Sequence, residues 1–262
     1  MKKYEFTGET KTINLSSRTV TLHRIKAVVE FGLVKVGELG GWIEKEENLS
    51  HKGDAWVSGD AVVRENAEVS GNAVVSGDAV VRENAEVSGN AVVSGDAVVR
   101  ENAVVRGNAV VSENAVVREN AEVSGNAVVS GDAVVRENAW VRGNAVVSEN
   151  AVVRGDAEVS ENAWVRGNAV VSENAVVRGN AVVSENAEVF SVRHVLVIGP
   201  IGSRNAFTTF YHDKDNEITV QCGCFIGKID KFLKKVTQTH CDSKYALVYR
   251  AAVEVARLQI EL

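Results

Sequence analysis

Residues 53–190 repeat a six-residue unit twenty-three times without one insertion or deletion, from GDAWVS GDAVVR ENAEVS GNAVVS to ENAEVF. The consensus is [GE]-[ND]-A-x-V-[SR], and a fixed period of this kind constrains the fold more than any other property of the chain. A helix is excluded, because six does not match 3.6 and a Gly or Asn/Asp at every turn would break it. Collagen is excluded because Gly does not fall at every third place. Ala and Val, two apart, share one face of a short strand, with x between them on the other. Gly or Glu followed by Asn or Asp supplies a corner, where positive φ must be tolerated. These demands describe a coil with three flat sides, one hexad per side and three hexads to the turn, filled by Ala and Val. With strands ~4.8 Å apart, about 7.7 turns make a prism roughly 37 Å tall.

Folding the hexads onto three sides sorts the outward residues. One side carries Trp56, Val74, Val92, Val110, Val128, Val146, Trp164 and Val182. The next carries Val62, Val80, Val98, Val116, Val134, Val152 and Val170, ending in Glu188. The third is charged for much of its length, with Glu68, Glu86, Val104, Glu122, Trp140, Glu158 and Val176. Each valine ladder covers on the order of 400 Å², near the upper range for the largest patch of a soluble monomer. The expected self-association face is therefore Val74, Val92, Val110, Val128, Val146 and Trp164, with Val62, Val80, Val98, Val116 and Val134, and a homo-oligomer is expected. At one corner Arg64, Arg82, Arg100, Arg118, Arg136 and Arg154 stack beside Glu65, Glu83, Glu101, Glu119 and Glu137, so each like-charge column faces an opposite one.

The repeat divides the chain into an N-terminal β cap with lead-in coils (1–52), the solenoid (53–190) and a C-terminal α+β capping or docking module (191–262). The units GWIEKE (41–46) and ENLSHK (47–52) keep the period and lose the consensus. After Phe190, VRHVLVIGPIGSRNAFTTFY and EITVQC read as strands joined through HDKDNE. IDKFLKKVTQTH and SKYALVYRAAVEVARLQ have helical apolar spacing, with Asp230 and Ser243 as candidate caps.

The repeat resembles the hexapeptide-repeat family, which implies a left-handed parallel β-helix; the hand comes from that resemblance alone. The lead-in HRIKAVVEFGLVKVGELGGWIEKEENLSHKGDAWV is similar to the start of YdcK-type hexapeptide-repeat proteins, a group assigned as transferases. The stretch IGPIGSRNAFTTFY…CGCFIGKIDKFLKKVTQTH…YALVYRAAVEV resembles a module at the ends of phage and bacterial repeat proteins, which implies a cap or docking unit for a protein partner. Fold class is thus mainly β: a three-sided left-handed parallel β-helix with a β cap, a C-terminal β-hairpin and two α-helices.

Acyltransferases and carbonic anhydrases of the hexapeptide-repeat family depend on histidine as base or zinc ligand. The hexads contain no His, no Cys and no inserted loop, and His23, His51, His194, His212 and His240 all lie outside them. Cys222, Cys224, His240 and Cys241 form the only metal-like cluster, at a spacing that fits no standard zinc motif. GPIGSR (199–204) lacks the ending of a phosphate loop. The net charge of -6 and the Glu column beside the Arg column give no reason to expect nucleic acid, although a nucleic-acid-mimicking inhibitor is a third reading. No apolar run spans a bilayer, the N-terminus carries no signal, and three cysteines suit a reducing compartment, so a cytoplasmic location is expected. The expectation is a non-catalytic scaffold or binding rod without metal or cofactor; the runner-up is an acyltransferase-like enzyme.

Overall fold

A computed structural model describes residues 2–16 and 18–262 of the chain. They fall into two compact units, Met1–Asn138 and Ala139–Leu262.

In the first unit, every hexad contributes a two-residue strand at its x-Val pair, joined to the next by a two-residue turn. Strands three hexads apart pair in parallel and in register: Trp56 with Val74, Val74 with Val92, Val92 with Val110, Val110 with Val128. Two further sheets run beside this one, through Val62, Val80, Val98, Val116 and Val134 and through Glu68, Glu86, Val104 and Glu122. The three-sided parallel β-solenoid with three hexads per turn is thereby present. The Ala and second Val of each hexad are fully buried, so the interior is built of two small side chains in uniform ladders.

The coils bond along one direction. The x and Ser/Arg positions donate their N–H to the next coil, as Val92 does to Ala109 O and Ser94 to Val111 O, both at 2.9 Å. Corners turn at a residue of positive φ, which glycine adopts without strain. Ten glutamates adopt it as well, with φ between 56° and 65°. Such a conformation costs about 1–3 kcal/mol in a side-chain-bearing residue. Part of that cost is offset locally: Arg64 Nη1 donates to Glu65 Oε1 at 2.6 Å, and Glu65 Oε2 accepts the N–H of Glu83 at 2.9 Å.

The strands Tyr4–Asn14 and Thr19–Ala27 form an antiparallel pair that continues through Leu39–Ile43. Leu39–Ile43 then runs parallel to Val62–Val63, with Trp42 opposite Val62, so the cap extends one side of the solenoid. Gly40 is required there, since a Cβ would lie 2.5 Å from Ile25 and 2.7 Å from Val57 O.

In the second unit the same coils recur, with Val146, Trp164 and Val182 in one ladder, Val152, Val170 and Glu188 in the next, and Trp140, Glu158 and Val176 in the third. An antiparallel sheet follows, of strands Val195–Ile201, Ala206–His212, Ile218–Cys222 and Phe225–Lys228. Helices α1 (Ile229–His240) and α2 (Lys244–Gln259) pack on it around Phe210, Val220, Phe232, Val236, Tyr249 and Val253. The expected hairpin is therefore a four-stranded sheet. Its turn at Gly202–Asn205 divides a run that reads as continuous, and its last strand adjoins α1. Asp230 lies in the first turn of α1, whose N-cap is Lys228. Ser243 is the N-cap residue of α2, without a side-chain cap bond.

Candidate functional site

The outward valines occupy the places the repeat assigns them. In the first unit Val74, Val92, Val110 and Val128 form one half-buried ladder, and Val80, Val98, Val116 and Val134 form another. In the second unit Val146 is half-buried and Trp164 stands out at 49% exposure. Val62 differs from the rest. It is only 5% exposed, packed with Val20, Leu22 and Trp42, and so is covered within its own chain. Trp56 is covered too, with Phe31 edge-on at 5.4 Å. On the third side Arg142 Nη2 reaches Glu158 at 2.9 Å and its guanidinium lies over the exposed Trp140 ring.

The corners carry a second set of ladders. Asn66, Asn84, Asn102 and Asn120 each donate from Nδ2 to Oδ1 of the asparagine one coil on, at 3.1–3.2 Å, in a directional amide chain. Asn72, Asn90 and Asn108 do the same along another corner. Sequence inspection treats Asn as a turn former only; its strict recurrence at every third hexad is the signal that marks the ladder.

The histidines are held by their surroundings. His51 stacks on Tyr4 at 4.3 Å, its Nδ1 accepts the N–H of Lys3 at 3.3 Å, and burial lowers its pKa. His194 stacks on His212 at 4.7 Å and accepts the N–H of Phe190 at 3.2 Å; burial and the neighbouring His212 lower its pKa. His212 Nδ1 sits 2.7 Å from Glu188 O. His23 stacks on Phe6, and His240 on Tyr249.

Cys222, Cys224 and His240 line one cavity of about 280 Å³ between the C-terminal sheet and helices, whereas Cys241 is exposed and does not line it. Among the described residues, no group of three or more His, Cys, Asp or Glu is placed to hold a metal ion. The HDKDNE turn is held by Lys228, whose Nζ meets Asp213 at 2.6 Å, Glu217 at 2.9 Å and Asp215 at 3.3 Å. Burial pushes Asp213 up, but the bonds from Lys228 and Thr219 outweigh it and hold the carboxyl below its ordinary range. On α2, Leu247, Val248, Val255 and Leu258 are exposed. No helix among the described residues is long and apolar enough to cross a membrane.

The YdcK β-solenoid repeat matches residues 67–83, 85–101 and 121–137, all within the consensus hexads. The chain is a β-solenoid repeat protein. No curated protein matches it. The likeness of this β-solenoid to known families therefore rests on the repeat, and its function is argued from its own surface.

Proposed function

We propose that this β-solenoid is a non-catalytic scaffold that self-associates through its outward valine ladders. The carrying observation is the strict register of Val74, Val92, Val110 and Val128, one per coil, beside the equally regular Val80, Val98, Val116 and Val134. A flat, repetitive apolar strip of this kind is matched best by a second copy of itself, in an isologous contact. Glu68, Glu86 and Glu122 on the third side keep that side in water. The non-catalytic reading is supported by the stacking of His51, His194 and His212, each with a ring nitrogen engaged by main chain. A protein partner on the C-terminal module is supported by the exposed apolar residues of α2. The three free thiols support a cytoplasmic location, and phage ancestry rests on the resemblance of the C-terminal module.

Light scattering of the wild type and of a Val92→Lys, Val110→Lys, Val128→Lys variant at tens of micromolar tests the assembly. The expected result is an oligomer that the triple change dissociates; a monomeric wild type overturns the proposal. Micromolar acetyl-CoA binding by calorimetry, lost in His51→Ala or His194→Ala, would overturn the non-catalytic part.

A further inference from the structure

We propose that the cavity of the C-terminal module binds a small aromatic acid in its ionised form. The walls and the rim of the cavity point to different halves of such a molecule. Phe225 and Phe232 meet at 5.3 Å, Phe232 stands edge-on to Tyr249 at 5.5 Å, and the His240 ring lies along Tyr249. These rings offer faces and edges to a further ring, the arrangement aromatic pairs favour. Arg204 and Lys235, both exposed, also line the cavity, and among the described residues no carboxylate does.

Several cations of the module are engaged by carboxylates. Arg193 pairs with Glu261, Arg250 with Asp242, Arg257 with Glu254, and Lys228 with three carboxylates. Arg204 and Lys235 have no such partner among the described residues, a property shared with Lys214, Lys231, Lys234 and Lys244, but of these six only Arg204 and Lys235 line the cavity. A guanidinium and an ammonium lining one largely apolar cavity suit a carboxylate that accepts from the planar fork. The volume of about 280 Å³ lies just below the usual range of ligand pockets, about 300–1,000 Å³, so the occupant is smaller than a drug-sized molecule. The floor is polar at one point, where Thr208 Oγ1 donates to Cys222 Sγ at 3.3 Å and Tyr249 Oη lies 3.9 Å from the same sulfur. Burial and this thiol push the Tyr249 phenol up to about 12, so it stays neutral beside a bound anion.

Two readouts on the full chain test the proposal. Calorimetry uses benzoate, 3-phenylpropanoate and indole-3-acetate against 3-phenylpropanamide, which keeps the shape and lacks the charge. At least one acid is expected to bind ten-fold or more tighter than the amide, and Arg204→Gln with Lys235→Gln should remove that difference. Iodoacetamide labelling followed by mass spectrometry then locates the ligand. Cys222 and Cys224 should be protected by the bound acid, while Cys241, outside the cavity, labels at its original rate. The proposal is overturned if no acid binds at millimolar concentration, if acid and amide bind alike, or if Cys241 is protected equally. Val236→Trp fills the cavity and should abolish binding. If that variant does not fold, the exposed Arg204 and Lys235 changes decide the matter alone.

Discussion

The ammonium of Lys3 donates to the main-chain oxygen of Ala55 at 2.7 Å and to that of Gly53 at 3.1 Å. Along the coils these oxygens are where a preceding coil would place its N–H groups, as Asn72 N–H meets Gly89 O and Val74 N–H meets Ala91 O. One side chain thus stands in for the missing coil on one side of the solenoid. Asn48 does so at the adjoining corner, giving Nδ2 to Glu65 O and Ala67 O at 3.0 and 2.8 Å. Trp42, Glu44 and Ser50 add their own N–H groups on Ala61 O, Val63 O and Val69 O. An open strand edge invites pairing with other chains, and here donors close it.

Removing these donors should loosen that end. Lys3→Met keeps the stem and leaves two carbonyls unsatisfied, and an unsatisfied buried polar group costs about 1–3 kcal/mol. Asn48→Leu should cost a similar amount. Urea unfolding measures the loss, and hydrogen exchange should place it in residues 53–70. A variant as stable as the wild type, with unchanged exchange there, would show that water satisfies these oxygens equally well.

His51 and His194 give the protein a defined acid sensitivity. Burial holds both below the ordinary 6.5, so the folded chain binds their protons less readily than the unfolded chain does. Stability from these groups is fully present above pH 6.5 and falls as pH drops through their folded values. The urea midpoint should be lower at pH 5 than at pH 7.5, a range that leaves most carboxylates ionised. His51→Gln with His194→Gln should reduce the drop. An equal drop in that variant would assign the sensitivity to other groups.

Because each coil contacts only its neighbours, removing a whole turn should be tolerated. Deleting residues 89–106 brings Val74 onto Val110 and Val80 onto Val116, Val–Val pairs as before, and sets Glu86 opposite Glu122, a pairing that Glu68 and Glu86 already make. The shortened chain should fold, with a slightly lower melting temperature. Deleting Val92 alone shifts the alternation by one residue and turns that coil's inward set outward. That variant should lose cooperative unfolding by circular dichroism. If it melts no lower than the whole-turn deletion, alternation is not what fixes the register.

The period made the solenoid legible because every hexad states the same three facts: Ala and Val inside, Gly or Glu at a positive φ, and a partner three hexads away. Contacts between distant, unrepeated residues had no such signal. Lys3 and Asn48 reach across 52 and 19 residues, and nothing local marks either as a cap. Trp56 and Val62 sit on outward positions, yet Phe31 and the N-terminal strands cover them, which the repeat alone does not reveal. Phe225–Lys228 is too short to show alternation and adjoins a helix, so only pairing with Ile218–Cys222 identifies it as a strand. The cavity beside Cys222 was legible only as a cluster of metal-like residues, because its aromatic walls come from separate elements.

The corner occupied by Asp60, Asp78 and Asp96 is built less favourably than its neighbours. Asp60 N–H reaches Gly77 O and Asp78 N–H reaches Gly95 O, both at 2.9 Å, so the three carboxylates stack one per coil. Like charges at ~4.8 Å repel, and a carboxylate has no proton to give the next one along. In the neighbouring column Asn72, Asn90 and Asn108 pass an N–H from each amide to the next. Asn114 Nδ2 also donates to Asp132 Oδ1 at 2.8 Å, so an Asp is a competent acceptor below an Asn. Asp78→Asn should therefore add a bond to Asp96, remove a repulsion, and stabilise the protein by about 0.5–1.5 kcal/mol. Added salt should raise the urea midpoint of the wild type more than that of the variant, since screening relieves only the charged column. Asn90→Asp supplies the reverse change in the intact ladder and should destabilise by a similar amount. A neutral or destabilising Asp78→Asn, alongside an unaffected Asn90→Asp, would mean that the amide ladders are geometrically regular but energetically idle.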